Sequence, residues 1–361
     1  MRVASIVVAG LHISDNLGLQ IYFGIDSSPP ATTIRVRMTE VPIHALRSCL
    51  AEFSKLFGVN PASQTFTHWE QMPLPQTVKE TIEPPQRAPG EPRRGMALRP
   101  QDGLSAAASL RHHWPEYLME VCELGFYMVA TCLVATLLQY PASPVHHLVS
   151  SELARRALMG VTMGATMIAL ILSPWGKQSG GHFNPAVTFA FYRLGKVEFW
   201  DWWFYAAAQF VGAILGVCIA KYALLGTLRN DAAQYAVTEP GIYGQVVAFA
   251  AELVISFVLM SIVLYVTNRA NLARYTPYFV GAMIAIYITF EAPLSGMSTN
   301  PARTFAPALH AGDWHALWIY FLAPTLGMLA AADVFLRVRG GVPPYCAKLH
   351  HDNDKRCIFH H

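Results

Sequence analysis

Six apolar segments follow one another through the middle of the chain. Most have the length, about 20 residues, that a helix needs to cross a bilayer. Charged residues make up only 14% of the chain, against about 25% in a soluble domain, and most of them lie before or after these segments. The pattern predicts an all-α membrane protein with six transmembrane helices. The predicted spans are Tyr117–Leu138, Ala154–Pro174, Trp202–Leu225, Val246–Thr267, Pro277–Ala292 and Trp314–Phe335.

The composition argues against two other classes of protein. A soluble enzyme needs more charged side chains to cover its surface, and a net charge of +3 provides no basic face for a nucleic acid. The six cysteines are scattered, which is not the spacing of a disulfide framework. We therefore expect a lipid bilayer around the chain and no nucleic-acid partner.

The positive charges between the spans indicate the orientation. Most of them fall on one side of a six-span arrangement, which the positive-inside rule assigns to the cytoplasm. Arg155 and Arg156, at the outer start of the second span, are exceptions. The balance predicts a multi-pass protein of the cell membrane with both termini cytoplasmic. The residues on that side are Arg93, Arg94, Arg99, Arg111, Lys177, Arg193, Lys196, Arg269, Arg274, Arg337, Arg339, Lys348, Lys355 and Arg356.

The chain divides into four regions. Residues 1–95 contain proline-rich stretches and are interpreted as an N-terminal extension, disordered or non-native. The alternative is a small folded module with a strand at Thr33–Met38 and a helix around Ile43–Phe57. Residues 96–115 form a cytoplasmic segment before the membrane, residues 116–337 the membrane domain, and residues 338–361 a cytoplasmic tail rich in Cys and His.

Two apolar segments are too short to cross a bilayer, and both begin with Asn-Pro-Ala. One lies between spans two and three and the other between spans five and six. Each has the same place in a unit of three spans, so the two units point in opposite directions across the membrane. Such inverted repeats place the functional site at their interface, near the bilayer midplane. The repeated residues are Asn184, Pro185 and Ala186 in the first segment and Asn300, Pro301 and Ala302 in the second.

The residue types suit two re-entrant half-helices that meet tip to tip. Asn is a preferred N-cap and Pro is favoured at the first helical position, so each segment begins a helix with a positive N-terminus. The amides of Asn184 and Asn300 then supply hydrogen-bond donors at the centre. A water molecule can accept from both, while Arg303 and the two positive helix ends oppose cations and protons. These features favour a passive channel that conducts water in single file.

The pattern resembles the aquaporin, or major intrinsic protein, family over about residues 115–337. The run Tyr205-Ala206-Ala207-Ala208-Gln209 and an acidic residue in spans one and four are further similarities. The resemblance implies a passive channel rather than an enzyme, assembled as a homotetramer with one pore per subunit. We predict no cofactor and no bound metal. The small residues Gly212, Gly216, Gly281 and Ala285 agree with close helix packing but do not set the number of subunits.

The resemblance also implies roles for two membrane-embedded acids. Glu120 and Glu252 match the family's glutamates that accept N–H bonds from the half-helix loops, and Glu123 is an alternative for the first. Glu291, at the end of span five, is interpreted as a brace of the second loop rather than as a proton relay. His182, before the first motif, is either a residue of the pore vestibule or a loop-packing histidine.

The family's selectivity constriction uses four positions. Arg303 is one of them, and counting back from the second motif gives Met297 and Ile288. The fourth position, in span two, is Met163 or Gly164. Ile288 stands where water-selective members usually have His. This difference argues against strict selectivity for water.

Two further positions bear on the solute. Thr304 stands where glycerol-conducting members usually have Asp, and Tyr320-Phe321 is more typical of water channels. We predict water as the main solute. A pore for water plus small neutral solutes, such as glycerol or ammonia, is the alternative.

Two further alternatives concern the C-terminal tail and the class of transport protein. The tail spacing Cys346-x3-His350-His351-x5-Cys357 is not a standard zinc pattern, so a flexible basic tail is favoured over a metal or redox site. A secondary transporter also uses broken helices, but Arg303 has no obvious ionisable partner at the midplane.

Overall fold

The computed structural model describes residues 104–224 and 226–360 together with three backbone segments at 5–14, 18–26 and 33–36. These three segments form an antiparallel sheet with the strand order β1 (Ser5–Ser14), β2 (Gly18–Asp26) and β3 (Thr33–Val36). Val7 pairs with Gly24, and Ile21 pairs with Val36. The sequence predicts a strand at Thr33–Met38, where β3 lies, but β1 and β2 were not predicted. The helix expected around Ile43–Phe57 and the proline-rich stretches from residue 73 to 92 lie outside the described residues.

Helices make up most of the remaining part that is described. They are α1 (Ala106–Gln139), α2 (Pro144–Leu148), α3 (Glu152–Leu172), α4 (Pro174–Ser179), α5 (Pro185–Arg193), α6 (Phe199–Ala223), α7 (Gly244–Thr267), α8 (Thr276–Ile286), α9 (Ala292–Ser295), α10 (Pro301–Ala311) and α11 (Leu317–Val338). A π-helical turn, Tyr287–Glu291, joins α8 to α9.

In residues 104–224 and 226–360, six helices are long and apolar enough to cross a membrane. They are α1, α3, α6, α7, the helix formed by α8 to α9, and α11, which correspond to the six predicted spans. The largest difference is α1, which begins at Ala106 rather than at Tyr117 and continues through Pro115. Large apolar side chains such as Phe126, Trp203 and Phe290 are exposed on the outside, as lipid-facing residues are.

The six helices form two three-helix units related by the inverted repeat. Within the first unit α1 packs against α6, within the second α7 packs against α11, and α3 packs against α8 across the interface. Small residues allow these contacts. A Cβ at Gly212 would lie 2.3 Å from the Val121 carbonyl oxygen, and a Cβ at Gly164 would lie 2.4 Å from that of Gly281. The small residues named from the sequence therefore serve helix packing inside one chain.

Candidate functional site

The N-termini of α5 and α10 meet in the interior of the helical domain, each capped by its asparagine. Oδ1 of Asn184 accepts from the Ala186 amide at 2.9 Å, and Oδ1 of Asn300 accepts from the Ala302 amide at 3.0 Å. Nδ2 of Asn184 donates to the Thr299 carbonyl at 2.7 Å. Nδ2 of Asn300 donates to the Phe183 carbonyl at 2.6 Å. Each asparagine thus ties its own helix to the opposite loop, and each amide keeps a second N–H.

The loops ahead of the two tips have the same backbone conformation. Gly180 and Gly296 end the preceding short helices with φ values of 104° and 78°. Phe183 and Thr299, each directly before the asparagine, also have positive φ values, of 51° and 55°. A non-glycine residue adopts this conformation only at a cost of about 1–3 kcal/mol. The loops must therefore be held by contacts from the surrounding helices.

Glu120 supplies those contacts for the first loop. It is fully buried on α1 and accepts from the His182 amide at 3.0 Å and from the Phe183 amide at 2.8 Å. Gln209 on α6 donates to the same carboxylate at 2.7 Å. Glu123, the alternative from sequence, contacts hydroxyls instead and accepts from Ser179 Oγ at 3.0 Å. Glu120 therefore accepts the backbone N–H bonds of the loop, whereas Glu123 contacts the loop only through the Ser179 side chain.

Glu252 has the matching place on α7 in the second unit. It is fully buried and accepts from the Ser298 amide at 2.6 Å and the Thr299 amide at 2.8 Å. Ser295 Oγ lies 3.0 Å from the Glu252 carboxylate and 2.5 Å from Glu291. Glu291 therefore contacts the start of the second loop through Ser295.

A second pair of contacts repeats in the two units and was missed by the sequence analysis. Tyr205 donates to the Ser179 carbonyl and Tyr320 to the Ser295 carbonyl, both at 2.6 Å. The two serines stand at the same distance before their asparagines, which is the signal that an internal alignment of the two units would have provided. Each loop is thus anchored at its start by a tyrosine and near its tip by a glutamate.

A cavity passes the meeting point of the two tips. The space open to the centres of water molecules is about 60 Å³. Its walls are largely apolar, and α3 contributes three methionines one helical turn apart, Met159, Met163 and Met167. Asn184 and Asn300 both face it. The methionine row was missed from sequence, although its spacing of four residues was visible.

The predicted selectivity residues divide between the cavity and the helix interface. Arg303, Met297, Ile288 and Met163 line the cavity. The other candidate for the fourth position, Gly164, faces the backbone of Gly281 and does not belong to the lining. Of these two alternatives, only Met163 can therefore contact a molecule in the cavity. Ile288 lies in the π-helical turn, a local distortion that is frequent at functional sites.

Arg303 brings a charge to this apolar space. Asn300 Oδ1 also accepts from its amide, at 3.2 Å, which holds it in the first turn of α10. In residues 104–224 and 226–360, its buried Nη1 has no hydrogen-bond partner. A buried guanidinium N–H is costly to leave unpaired. The arrangement leaves this donor available to a polar molecule in the cavity.

His182 lies at the opposite end of the cavity and is buried. Nδ1 is 3.1 Å from Thr188 Oγ1, and Nε2 is 2.9 Å from the Ala347 carbonyl of the C-terminal tail. Because a carbonyl only accepts, Nε2 carries the hydrogen. His182 therefore lines the cavity and also contacts the first half-helix and the tail.

Residues 343–360, here called the tail, fold back onto this end of the helical domain, here called the tail side. Cys346, Ala347, Lys348, Leu349 and Phe359 are all buried. The interpretation of the tail as a flexible basic segment is therefore wrong, because its apolar residues find a surface to cover. Burial lowers the pKa of the Lys348 amine.

Comparison with known proteins agrees with this architecture. The family model described as "Major intrinsic protein" matches residues 108–335. The chain is 30% identical over 254 residues to the maize (Zea mays) Aquaporin NIP2-3, covering 69% of this chain and 82% of the relative. It is 31% identical over 182 residues to Nodulin-26 of Glycine max, covering 50% of this chain and 65% of the relative.

A solved structure has the same fold. The X-ray structure of the aquaglyceroporin from Plasmodium falciparum superposes with a TM-score of 0.55 at 19% identity, covering 63% of this chain and 97% of that one. The chain belongs to the major intrinsic protein family. It is a passive membrane channel of the aquaporin type and not an enzyme.

Proposed function

We propose that this chain conducts water in single file across the cell membrane and excludes ions and protons. The observation that carries the proposal is the small apolar cavity, into which only a few donors reach. Asn184 and Asn300 each keep one amide N–H beyond the bond to the opposite loop. A water molecule at the tips can accept from both, and the surrounding walls are largely apolar.

The size of the cavity supports a file of water rather than a wide pore. The space open to the centres of water molecules is only about 60 Å³, which suits a short row of water molecules. Nη1 of Arg303, which has no hydrogen-bond partner among the described residues, offers one more donor within the same space. Water can pass from donor to donor and so recovers part of the hydration that it loses on entry.

Two positive features support the exclusion of cations and protons. The N-termini of α5 and α10 point at the same place, and each carries about half a positive charge. Arg303 adds a full positive charge in the same space. Among the described residues that line the cavity there is no carboxylate. Glu120 and Glu252 are engaged by the loop amides instead.

Stopped-flow light scattering of proteoliposomes tests the proposal. We expect faster osmotic shrinkage than in empty liposomes, with no increase in the dissipation of a proton gradient. The measurement should use both the full chain and a chain that ends at Gly341, so that the tail cannot mask the pore. Shrinkage no faster than that of empty liposomes in both preparations would contradict the channel proposal.

One observation favours a second candidate, a channel for water plus small neutral solutes such as glycerol or ammonia. Ile288, Met297 and Met163 line the cavity together with Arg303, and all three side chains are apolar. A carbon-bearing solute loses less on entering such a site than on entering one lined by imidazole. A glycerol gradient in the same liposomes distinguishes the two, because a strict water channel leaves glycerol uptake at the level of the bare bilayer.

We also propose a homotetramer with both termini in the cytoplasm. The inward position of the termini is supported by the arginines and lysines that flank the spans on the tail side. Native mass spectrometry in detergent would give four chains of 39.8 kDa for the tetramer. Protease digestion of sealed cells should leave the C-terminus intact. A single-chain mass, or digestion from outside, would contradict the respective part.

A further inference from the structure

The tail is attached to the first re-entrant loop by backbone hydrogen bonds. The Leu349 amide donates to the Gly180 carbonyl at 3.0 Å. The Ala347 carbonyl accepts from His182 Nε2, and the His360 amide donates to the Lys196 carbonyl at 3.2 Å. These contacts join the tail to the loop that shapes the tail-side end of the cavity.

Two tail side chains fill that end. Leu349, only 4% exposed, lines the same cavity as Asn184 and Arg303. The Phe359 ring stacks on the His182 ring with centroids 5.3 Å apart and an angle of 17° between the planes. It also packs against Tyr205 at 6.0 Å. A molecule leaving the cavity on the tail side therefore meets Leu349, with Phe359 and His182 packed beside it.

The tail is also closed on itself. Lys348 Nζ donates to the carbonyls of Lys355 at 3.2 Å and Arg356 at 2.7 Å, which bends the chain into a loop. At the ends of this loop the sulfurs of Cys346 and Cys357 are 3.7 Å apart, close to van der Waals contact. Cys346 is buried and Cys357 is half-buried. The tail that seats in the pore mouth thus holds two thiols whose sulfurs would need to approach each other by about 1.7 Å to reach a disulfide bond length of about 2.05 Å.

We propose that Cys346 and Cys357 form a redox-reactive thiol pair, and that their oxidation to a disulfide fixes the tail in the mouth of the pore. The inference rests on the proposed channel function. It assigns a modification site to the tail, at two cysteines that enclose Leu349 in the sequence.

The oxidant is a peroxide, and the step balances as follows. The more exposed Cys357 attacks one oxygen of hydrogen peroxide as a thiolate, the O–O bond breaks, and a sulfenic acid and a hydroxide form. The hydroxide takes up the proton that Cys357 released and becomes water. The sulfur of Cys346 then displaces the hydroxyl of the sulfenic acid, which leaves with the Cys346 proton as a second water. Two thiols lose two electrons, and the peroxide gains them.

The environment of Cys346 suits its role as the second thiol to react, after Cys357. The hydrogen bond with Cys357 and burial raise the pKa of the Cys346 thiol, so Cys346 keeps its proton until the sulfenic acid has formed. The Lys348 amide donates to the Cys346 sulfur at 3.4 Å. A disulfide in this place lies within the seated tail and does not require the tail to leave.

The effect on the channel follows from chain entropy. Cross-linking a loop of about a dozen residues restricts the released tail more than the seated tail and favours the seated state by about 100-fold. If the reduced tail is seated half of the time, oxidation lowers the open fraction from about one half to about one hundredth. We therefore expect water permeability to fall at least tenfold.

The test uses the full chain in proteoliposomes, reduced with a phosphine or oxidised with hydrogen peroxide that is then removed. Stopped-flow shrinkage is measured for the wild type, the C346S/C357S double variant, and Cys122→Ser as a matched control on α1. A chain ending at Gly341 provides the open reference. Intact mass and peptide mapping report whether Cys346 and Cys357 are joined. Size-exclusion chromatography and the amount of protein per liposome confirm that each variant is folded and inserted.

The expected result is low permeability in oxidised wild type and in Cys122→Ser, restored by the phosphine, with the double variant unaffected by either reagent. The methionines of the cavity are the same in all of these proteins, so their oxidation cannot produce the difference. Absence of the cross-linked peptide would overturn the thiol pair. A formed disulfide without a change in permeability would overturn the locking.

The closure of the cavity by Leu349 has a separate test. Leu349→Ser should raise the permeability of the full chain toward that of the chain ending at Gly341, whereas Leu148→Ser, at an 85% exposed position of α2, should not. Equal permeability of full and shortened chains in both redox states would show that the tail does not close the pore. A shortened chain that conducts no water contradicts the proposed channel function instead.

Discussion

At the scale of single residues, a few buried polar groups hold an otherwise apolar interior in one arrangement. Glu120 and Glu252 accept the N–H groups of loops whose backbone is left-handed just before each asparagine. Inside a membrane the surrounding lipid cannot accept hydrogen bonds from these N–H groups. The two carboxylates therefore determine whether the half-helix tips keep their geometry.

Glu252→Ala tests this dependence. The substitution leaves the buried amides of Ser298 and Thr299 without an acceptor, so we expect a loss of about 2–5 kcal/mol in stability and a large loss of water permeability. Thermal unfolding in detergent and stopped-flow shrinkage measure the two effects. Glu152→Ala is the control, because its pairing with Arg156 is exposed and is expected to contribute less than about 1 kcal/mol. Similar stability of both variants would contradict the bracing role.

A second residue-scale prediction concerns the constriction. Ile288→His places an imidazole beside Arg303, and the polar wall should favour water over solutes that carry carbon. We expect the ratio of water to glycerol permeability to rise several-fold, measured in the same proteoliposomes. Ile288→Leu keeps the wall apolar and should leave the ratio as it is. An unchanged ratio of water to glycerol permeability in Ile288→His would contradict the assignment of Ile288 to the constriction.

At the scale of elements, the two units touch where side chains are smallest. Gly164 on α3 faces the Gly281 backbone on α8 so closely that a Cβ would lie 2.4 Å from the carbonyl oxygen. Without a hydrophobic driving force between helices in lipid, such contacts depend on close packing. They set the separation of α3 and α8, and both helices line the cavity.

Gly164→Val should therefore separate α3 from α8. We expect a destabilisation of at least about 1–3 kcal/mol from overpacking and a change in permeability, because Met163 and Ile288 move with their helices. The measurements are thermal unfolding and osmotic shrinkage. Val161→Leu is the control on the same helix, at a position 63% exposed on the outside. Wild-type stability and conductance in Gly164→Val would contradict the close approach.

At the scale of the whole molecule, the two units match closely around the tips and differ at their ends. The first loop has His182 where the second has Ser298, and only the first is covered by the tail in the part of the chain that is described. The inverted repeat therefore produces a symmetric centre with unlike mouths. A modification of the tail can therefore change the tail-side end of the cavity without disturbing the N-termini of α5 and α10.

The contacts of the site that the structure describes come from residues between Ser109 and His360, which motivates a test of the first 103 residues. We predict that a chain lacking residues 2–103 conducts water as fast per molecule as the full chain. Stopped-flow shrinkage normalised to the protein in each liposome measures this. A loss of permeability in a deletion that still inserts would show that the N-terminal region contributes to the channel.

The sequence by itself determined the spans, the inverted repeat and the capped half-helices, because all three depend on local rules. Apolar length specifies a span, and Asn followed by Pro specifies a helix start. Tertiary structure decided between Glu120 and Glu123 and between Met163 and Gly164, since one helical turn holds both candidates and only the neighbouring helix separates them. It also decided the tail, which is polar and irregular in sequence, because the burial of Leu349 and Phe359 depends on a surface that only the folded helices provide.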